Sequence, residues 1–291
     1  MSEIFWQSDT NFWTIINGKI DTIELGTKTI AETEKSTPIG AYTSFRTYNS
    51  FGVLRLSQHF DRLEETARLA GYEIHLDRED LKNTLVTLIA GTPNSSDPTP
   101  ERRIRITIDL ERNIGRLYFA MEPLRVPAPE KYTKGIICQT AQAHRENPKA
   151  KLSNFLSRAK DIREQEKEAF DEILMVSPQG ELLEGLSSNF FGIKGDTVYT
   201  AEDGVLSGTT RDFILHLAKN LEIPVIFKTI KKDEIADLDE AFISSTSRSI
   251  LPICSIDGIV MKKTVPAPVT KRLMEEFDKE LSVGIETLFT D

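Results

Sequence analysis

Three prolines fall within seven residues in Glu122-Pro-Leu-Arg-Val-Pro-Ala-Pro-Glu130. Proline has no amide donor and a fixed φ, so such a stretch resists both helix and central strand. No other segment breaks the chain so sharply, and 291 residues suit one large domain or two modest ones. The sequence therefore predicts a small N-terminal α+β domain over 1–121, a linker over 122–130 and a larger C-terminal domain over 131–291.

Hydrophobic periodicity gives each half its elements. In the first half, Trp13–Ile16, Lys28–Ile30 and Tyr42–Tyr48 read as strands. Leu56, Phe60, Leu63 and Ala67 repeat at helical spacing over 56–69. A second helix spans Leu81–Ile89, with Asp77 as its cap and Asp80 in its first turn. Ile104-Arg-Ile-Thr-Ile108 alternates strictly, as a half-buried strand does, and Arg116–Met121 is its hairpin partner. In the second half, Gly135–Ala141 is a strand, about Leu152 to Glu168 a long helix, and Glu172–Val176 a strand. After a Pro178-Gln-Gly turn, Glu181–Phe191 reads as one strand. Thr209–Asn220 is a helix, Pro224–Phe227 and Ala241–Ser245 are strands, and Lys271–Leu288 is an amphipathic closing helix. The fold class is α+β (mixed α/β), and many short strands with helices outside predict a mixed, partly antiparallel sheet or barrel.

Composition narrows the function. The net charge of −9 and the absence of a basic stripe argue against nucleic acid. Cys138 and Cys254 belong to no CxxC pair, which excludes a disulfide scaffold and a cysteine-rich zinc site. No apolar run approaches the roughly 18 residues of a membrane span, and MSEIFWQSDTNFW lacks the layout of a signal peptide, so a cytoplasmic protein is expected.

Several segments carry candidate chemistry. Leu206-Ser-Gly-Thr-Thr-Arg211 sets a glycine and two hydroxyl residues before a helix, where free amides and the dipole favour a phosphate. A plain N-cap would look the same. Ser244-Ser-Thr-Ser247 puts hydroxyls at a strand end, which also suits an ordinary turn. His59-Phe-Asp-Arg-Leu63 places His59, Arg62 and Leu63 on one helical face. Glu184 sits between an apolar strand and Gly185. Lys151 opens the Lys-Leu-Ser-Asn-Phe-Leu helix against the dipole, with Lys149 as its rival.

Taken in order, these pieces resemble class IV aminotransferases. These are fold type IV pyridoxal-phosphate enzymes that include branched-chain and D-amino-acid aminotransferases and aminodeoxychorismate lyase. The likeness runs from about Ala41 to Met274. It is strongest in Ser44-Phe-Arg-Thr-Tyr48, His59–Leu63, Asp171-Glu172 with Glu184–Gly192, Leu206–Arg211 and Ala241–Asp257. The resemblance implies pyridoxal 5'-phosphate as cofactor, held by Lys151 as a Schiff base that forms from the neutral amine. Asn154, three residues after Lys151, sets that register. The resemblance further implies that Glu184 faces the pyridine nitrogen and keeps the ring an electron sink. Arg62, Thr209, Thr210 and Thr246 match the phosphate cradle, and Ser188 and Asn189 lie in the matching cofactor-binding stretch. Tyr42, Arg46, Arg105, Thr246 and Ser247 are the candidate substrate residues. Amino-acid and 2-oxo-acid substrates and a homodimer are implied as well.

Three departures bear on the substrate. Thr43 stands where the family usually has an acidic residue. Phe155 stands where branched-chain enzymes carry a tyrosine. Asp109-Leu-Glu-Arg-Asn-Ile-Gly115 offers Arg112 without the histidine of an Arg-x-His carboxylate trap. The first expectation is an L-branched-chain aminotransferase working with 2-oxoglutarate, whose distal carboxylate Arg105 would take. A D-amino-acid aminotransferase, aminodeoxychorismate lyase and a non-catalytic cofactor-binding homologue are the alternatives.

Overall fold

A computed structural model describes residues 10–16, 19–23, 29–92, 101–165 and 170–289. Its contacts divide the chain into two compact units. One comprises 1–125, 150–157 and 284–291, the other 126–149 and 158–283. Residues 150–157 and 284–291, which the sequence reading gives to the C-terminal half, thus group with the first unit.

In the first unit, β1 (Asn11–Ile16), β2 (Lys19–Thr22), β3 (Gly40–Arg46), α1 (Leu56–Leu69), α2 (Arg78–Gly91) and the strand pair β4 (Gly52–Leu54) with Ile285–Thr287 surround the β5 (Arg102–Asp109) and β6 (Leu117–Pro123) hairpin. The main sheet is antiparallel in the order β2-β1-β6-β5-β3. Strand alternation gives it two unlike faces. Ala41, Phe45, Ile104, Ile106, Ile108, Phe119 and Met121 pack with Leu56, Phe60, Leu63, Leu81 and Leu85 of the helices into one core. The intervening positions carry Tyr42, Ser44 and Arg46 on β3 against Thr107, Arg105 and Arg103 on β5. The expected periodicity of α1 and the Asp77 cap of α2, which accepts from the Asp80 amide at 3.0 Å, are both present.

Three expectations change here. Ile30 begins a 3-10 helix (Ile30–Lys35) rather than ending a strand, and Lys28 lies outside the described residues. Thr33 and Thr37 explain the turn, because their hydroxyls donate to the carbonyls of Ile30 and Thr33 and so compete with a ladder. The proline-rich stretch is shorter than read. Glu122 and Pro123 end β6, and Pro129 opens α3 (Pro129–Lys134) in the first turn, where its missing amide costs nothing.

The second unit holds β7 (Ile136–Gln142), most of α4 (Asn154–Gln165), β8 (Glu172–Val176), β9 (Glu181–Gly185), β10 (Ser188–Lys194), β11 (Thr197–Thr200), α5 (Thr209–Asn220), β12 (Val225–Phe227), β13 (Ile230–Lys231), β14 (Glu240–Ser245), β15 (Ser249–Ile256) and α6 (Pro268–Gly284). The order β10-β14-β15-β7-β8-β9 returns to β10, so six strands close into a barrel-like mixed sheet. β7 runs parallel to β8 and β15, and the other pairs of the ring are antiparallel. Ile136, Cys138, Leu174, Val176, Leu182, Phe190, Ala241, Ile243, Leu251 and Ile253 take alternate positions on these strands and form one core, as barrel interiors do.

The stretch read as a single strand over Glu181–Phe191 is two antiparallel strands. Leu186 and Ser187 form the turn, and Ser188 pairs back on Gly185. The apolar run hides this turn because both arms are buried. β15 was missed for a related reason, since Pro252 argues against a central strand, yet it lies there opposite Phe242. The closing helix spans Pro268–Gly284 instead of Lys271–Leu288, and its tail becomes the Ile285–Thr287 strand. The helix begun near Leu152 starts at Asn154 and is described to Gln165.

Candidate active site

In the first unit the site residues gather around Lys151. Its carbonyl accepts from the Tyr42 amide at 3.0 Å, and its own amide donates to Thr66 Oγ1 at 3.2 Å. On either side, Leu152 bridges Ala41, the Ser153 amide donates to the Gly40 carbonyl, and Ser153 Oγ accepts from the Gly40 amide. Gly40 is required here, because a Cβ would come within 1.9 Å of the Ile108 carbonyl oxygen. The backbone of Lys151 is thus stitched to the edge strand β3. Its Nζ stands 5.2 Å from the centroid of the Tyr42 ring. Lys149 is exposed and groups with the other unit.

Arg105, expected as a substrate residue, is buried at 6 % exposure, with Cζ 5.2 Å from the same Tyr42 ring. Its Nη1 lies 3.4 Å from Glu34 Oε1, and its Nε meets no hydrogen-bond partner among the described residues. Burial lowers its pKa, the neighbouring Arg103 charge adds to that, and Tyr42 and Glu34 oppose it. Arg46 pairs with Glu101 and lies over the Tyr48 ring. Arg62 is half-buried on α1, one turn from His59. His59 is buried, and its Nδ1 lies 2.7 Å from Thr43 Oγ1. Burial, then the Arg62 and Lys151 charges, hold its pKa well below the ordinary value. Thr43, noted in the sequence as a departure, is therefore the partner of a neutral histidine.

In the second unit Glu184 is 2 % exposed. Its Oε1 accepts from Arg145 Nε at 2.6 Å, and its Oε2 from Asn189 Nδ2 and the Leu206 amide at 3.1 Å each. Asn189 Nδ2 also donates to the Leu206 carbonyl at 2.7 Å. Gly208, the residue before α5, touches this group, because a Cβ there would meet Asn189 Oδ1 at 2.2 Å. With glycine as N-cap, no side-chain cap bond is made to the first turn of α5. Thr209 and Thr210 are both buried there, and Thr209 Oγ1 finds no partner among the described residues. Orphaned donors at a helix N-terminus fit a phosphate. The residues present therefore fit a phosphorylated cofactor. Arg211 turns away, donating to the Ala201 carbonyl and lying over the Phe227 ring.

Thr246 and Ser247 form the half-buried turn between β14 and β15. Arg248 ends that turn and pairs with Glu172, whose carboxylate is fully buried and also accepts from Arg163, Ser187 and Ser188. Burial pushes the Glu172 pKa up, but the Arg248 and Arg163 charges and the Ser187 hydroxyl outweigh it, so the net shift is downward. Ser188 thereby serves Glu172, and Asn189 serves Glu184. Sequence reasoning missed Arg145, Thr66, Glu34 and Arg248. Arg145, Glu34 and Arg248 are charged residues in or beside turns, where no periodicity marks burial.

The closed mixed barrel of the second unit, with a helix N-terminus beside a buried carboxylate, is the architecture of the fold type IV class. The amino-transferase class IV family pattern matches residues 40–256, and the chain belongs to that family of pyridoxal-phosphate enzymes; its relatives are transaminases acting on amino and 2-oxo acids. It is 28 % identical over 261 residues to a D-alanine aminotransferase of Bacillus licheniformis, covering 80 % of this chain and 84 % of that one. It is 25 % identical over 268 residues to a branched-chain-amino-acid aminotransferase of Pseudomonas aeruginosa, covering 82 % and 83 %. The fold matches the Thermoproteus uzoniensis branched-chain aminotransferase crystallised with norvaline, with a TM-score of 0.72 at 22 % identity over 96 % of this chain and 99 % of that one. Among the described residues no helix is long and apolar enough to cross a membrane.

Proposed function

We propose that this transaminase acts on branched-chain L-amino acids with 2-oxoglutarate as the amino acceptor. The observation that carries the reading is the Tyr42 ring shared by Lys151 Nζ and the buried Arg105 guanidinium. It sets an anion-binding cation beside the amine assigned to the chemistry, and the names of relatives such as the Pseudomonas enzyme support the substrate class. A D-amino-acid reading is the second, supported by the comparable similarity to the Bacillus D-alanine enzyme.

When bound, the cofactor supplies an electron sink for the charge left as the Cα proton departs. Lys151 Nζ would hold the cofactor, and its neutral amine would take up and return the substrate Cα proton. Glu184 would face the ring nitrogen and favour its protonated form, and the Arg145 and Asn189 donors hold Glu184 in place. Arg62, the Thr209 and Thr210 amides and Thr246 hold the phosphate, with Ser188 and Asn189 supporting that wall of the site. Arg105, with Tyr42 and Arg46, takes substrate carboxylate, and the Thr246–Ser247 turn takes the other. The protein works as a homodimer in the cytoplasm; the free thiols of Cys138 and Cys254 support a reducing compartment, and sedimentation separates one chain from two.

Borohydride reduction followed by peptide mass mapping is expected to find the cofactor on Lys151, and Lys151→Ala to remove both the visible band and turnover. Label on Lys149 would overturn the assignment. Bleaching of that band by L-leucine but not by D-alanine or D-glutamate supports the L-branched-chain reading, and the reverse selects the D-amino-acid one.

A further inference from the structure

Of the arginine–glutamate pairs on the polar face of the first sheet, the two made by Arg103 and Arg105 on β5 differ in kind. Arg103 Nη1 reaches Glu122 Oε1 at 3.0 Å, while Glu122 Oε2 accepts from the Ile30 amide at 2.7 Å. Both oxygens of Glu122 are thus used, one to neutralise Arg103 and one to anchor the 3-10 helix Ile30–Lys35 to the sheet. Glu34 rides on that helix. Its contact with Arg105 is 3.4 Å, at the outer limit of a hydrogen bond, and it leaves Arg105 Nε without a partner among the described residues. Arg105 has a side-chain exposure of only 7 %, while that of Glu34 is 19 %. The cation is therefore fixed in the interior, and its counter-ion sits nearer to solvent on a short helix.

A transaminase with two unlike substrates faces a charge problem at such a place. When the side chain bound there is apolar, an uncompensated buried guanidinium is costly. When it carries a carboxylate, an internal counter-ion competes with it. We propose that Glu34 is an exchangeable counter-ion of Arg105, neutralising it while an apolar substrate is bound and yielding it to the distal carboxylate of a dicarboxylic one. This rests on the reading that Arg105 faces substrate. The long 3.4 Å contact is what exchange requires, because a pair as close as the 3.0 Å Arg103–Glu122 one gives way less readily. Glu34 then sets the preference between dicarboxylic and apolar monocarboxylic acceptors without touching the reacting atoms.

The test measures the cofactor-loaded enzyme and its Glu34→Gln variant with 2-oxoglutarate and with 4-methyl-2-oxopentanoate. It also titrates glutarate, which cannot turn over, against the visible band of the bound cofactor. In Glu34→Gln, KM for 2-oxoglutarate and the glutarate dissociation constant should each fall about tenfold, while KM for the apolar acid rises about threefold. Glu34→Asp, which keeps the charge, should stay near wild type on all three. Constants that move together, or not at all, overturn the proposal, because a merely structural role would not shift two substrates in opposite directions. Arg105→Ala separates the two layers. If it raises KM for 2-oxoglutarate while Glu34→Gln does nothing, the substrate reading stands and only the exchange fails. If it leaves both acceptors unaffected, the reading of Arg105 fails and the exchange with it.

Discussion

The Arg105 guanidinium beside Tyr42 and the Glu184 carboxylate are both buried, yet their surroundings are finished to different degrees. Glu184 receives an arginine, an asparagine amide and a backbone amide, so its ionised form is held by the protein itself. Arg105 has a long contact to Glu34 and, among the described residues, no hydrogen-bond partner for its Nε. A carboxylate proposed to face the cofactor in every turnover is met by fixed partners, as preorganised electrostatics requires. A group that must meet changing partners is left partly unmet. The first arrangement suits a permanent neighbour of the cofactor and the second suits substrates that come and go.

The largest expected effect comes from breaking the saturated side. Glu184→Ala leaves the Arg145 guanidinium buried without its acceptor, which should cost about 3–5 kcal/mol in urea denaturation. Glu184→Gln keeps the shape, and it should keep the cofactor too while slowing single-turnover Cα deprotonation by roughly 100- to 1,000-fold. An unchanged single-turnover rate in Glu184→Gln would remove Glu184 from its assigned role.

A smaller effect comes from the second saturated carboxylate. Glu172 has its folded-state pKa lowered from the ordinary value of 4.5, against its burial, by Arg248, Arg163 and Ser187. Its contribution to stability is therefore present above pH 4.5 and is lost as pH falls through the lower folded value. Denaturation midpoints across that acid range should drop more steeply for wild type than for Glu172→Gln. Parallel curves would show that this charge network carries no net linkage.

The sequence made α1, β8 and α5 legible to the residue, because the helices show one unbroken period and β8 is a short continuous apolar run between clear stops. It blurred the Leu186–Ser187 turn and β15, where burial on both arms and a tolerated proline conceal the boundary. The helix start at Thr209 is readable from glycine and hydroxyl residues beside a helical period. Arg145, Thr66 and Glu34 were not, because their roles depend on contacts 39, 85 and 71 residues away along the chain. Lys151 could be named only through resemblance. Its distinction from Lys149 becomes physical in the backbone bonds to Tyr42 and Thr66.

The smallest expected effect lies in the cationic cluster and falls in a different pH window from that of Glu172. Of the four histidines, His59 alone is buried, while His75, His144 and His216 are exposed. Burial and the nearby Arg62 and Lys151 charges lower its pKa well below 6.5, so the native protein holds it neutral beside Thr43. The unfolded chain binds a proton at His59 below about pH 6.5, and the folded chain does not until much lower pH. Stability should therefore decline as pH falls below 6.5, with a slope approaching about 1.4 kcal/mol per pH unit from this one group. His59→Asn keeps a hydrogen-bonding partner for Thr43 and cannot take up the proton. Its stability should be nearly flat between pH 6.5 and 5, whatever the offset from lost packing against Phe45. Urea titrations of both proteins over that interval measure the difference in slope, which does not depend on the offset. Equal slopes would show that His59 is protonated in the folded protein, and that the cations around Tyr42 do not exclude a further charge.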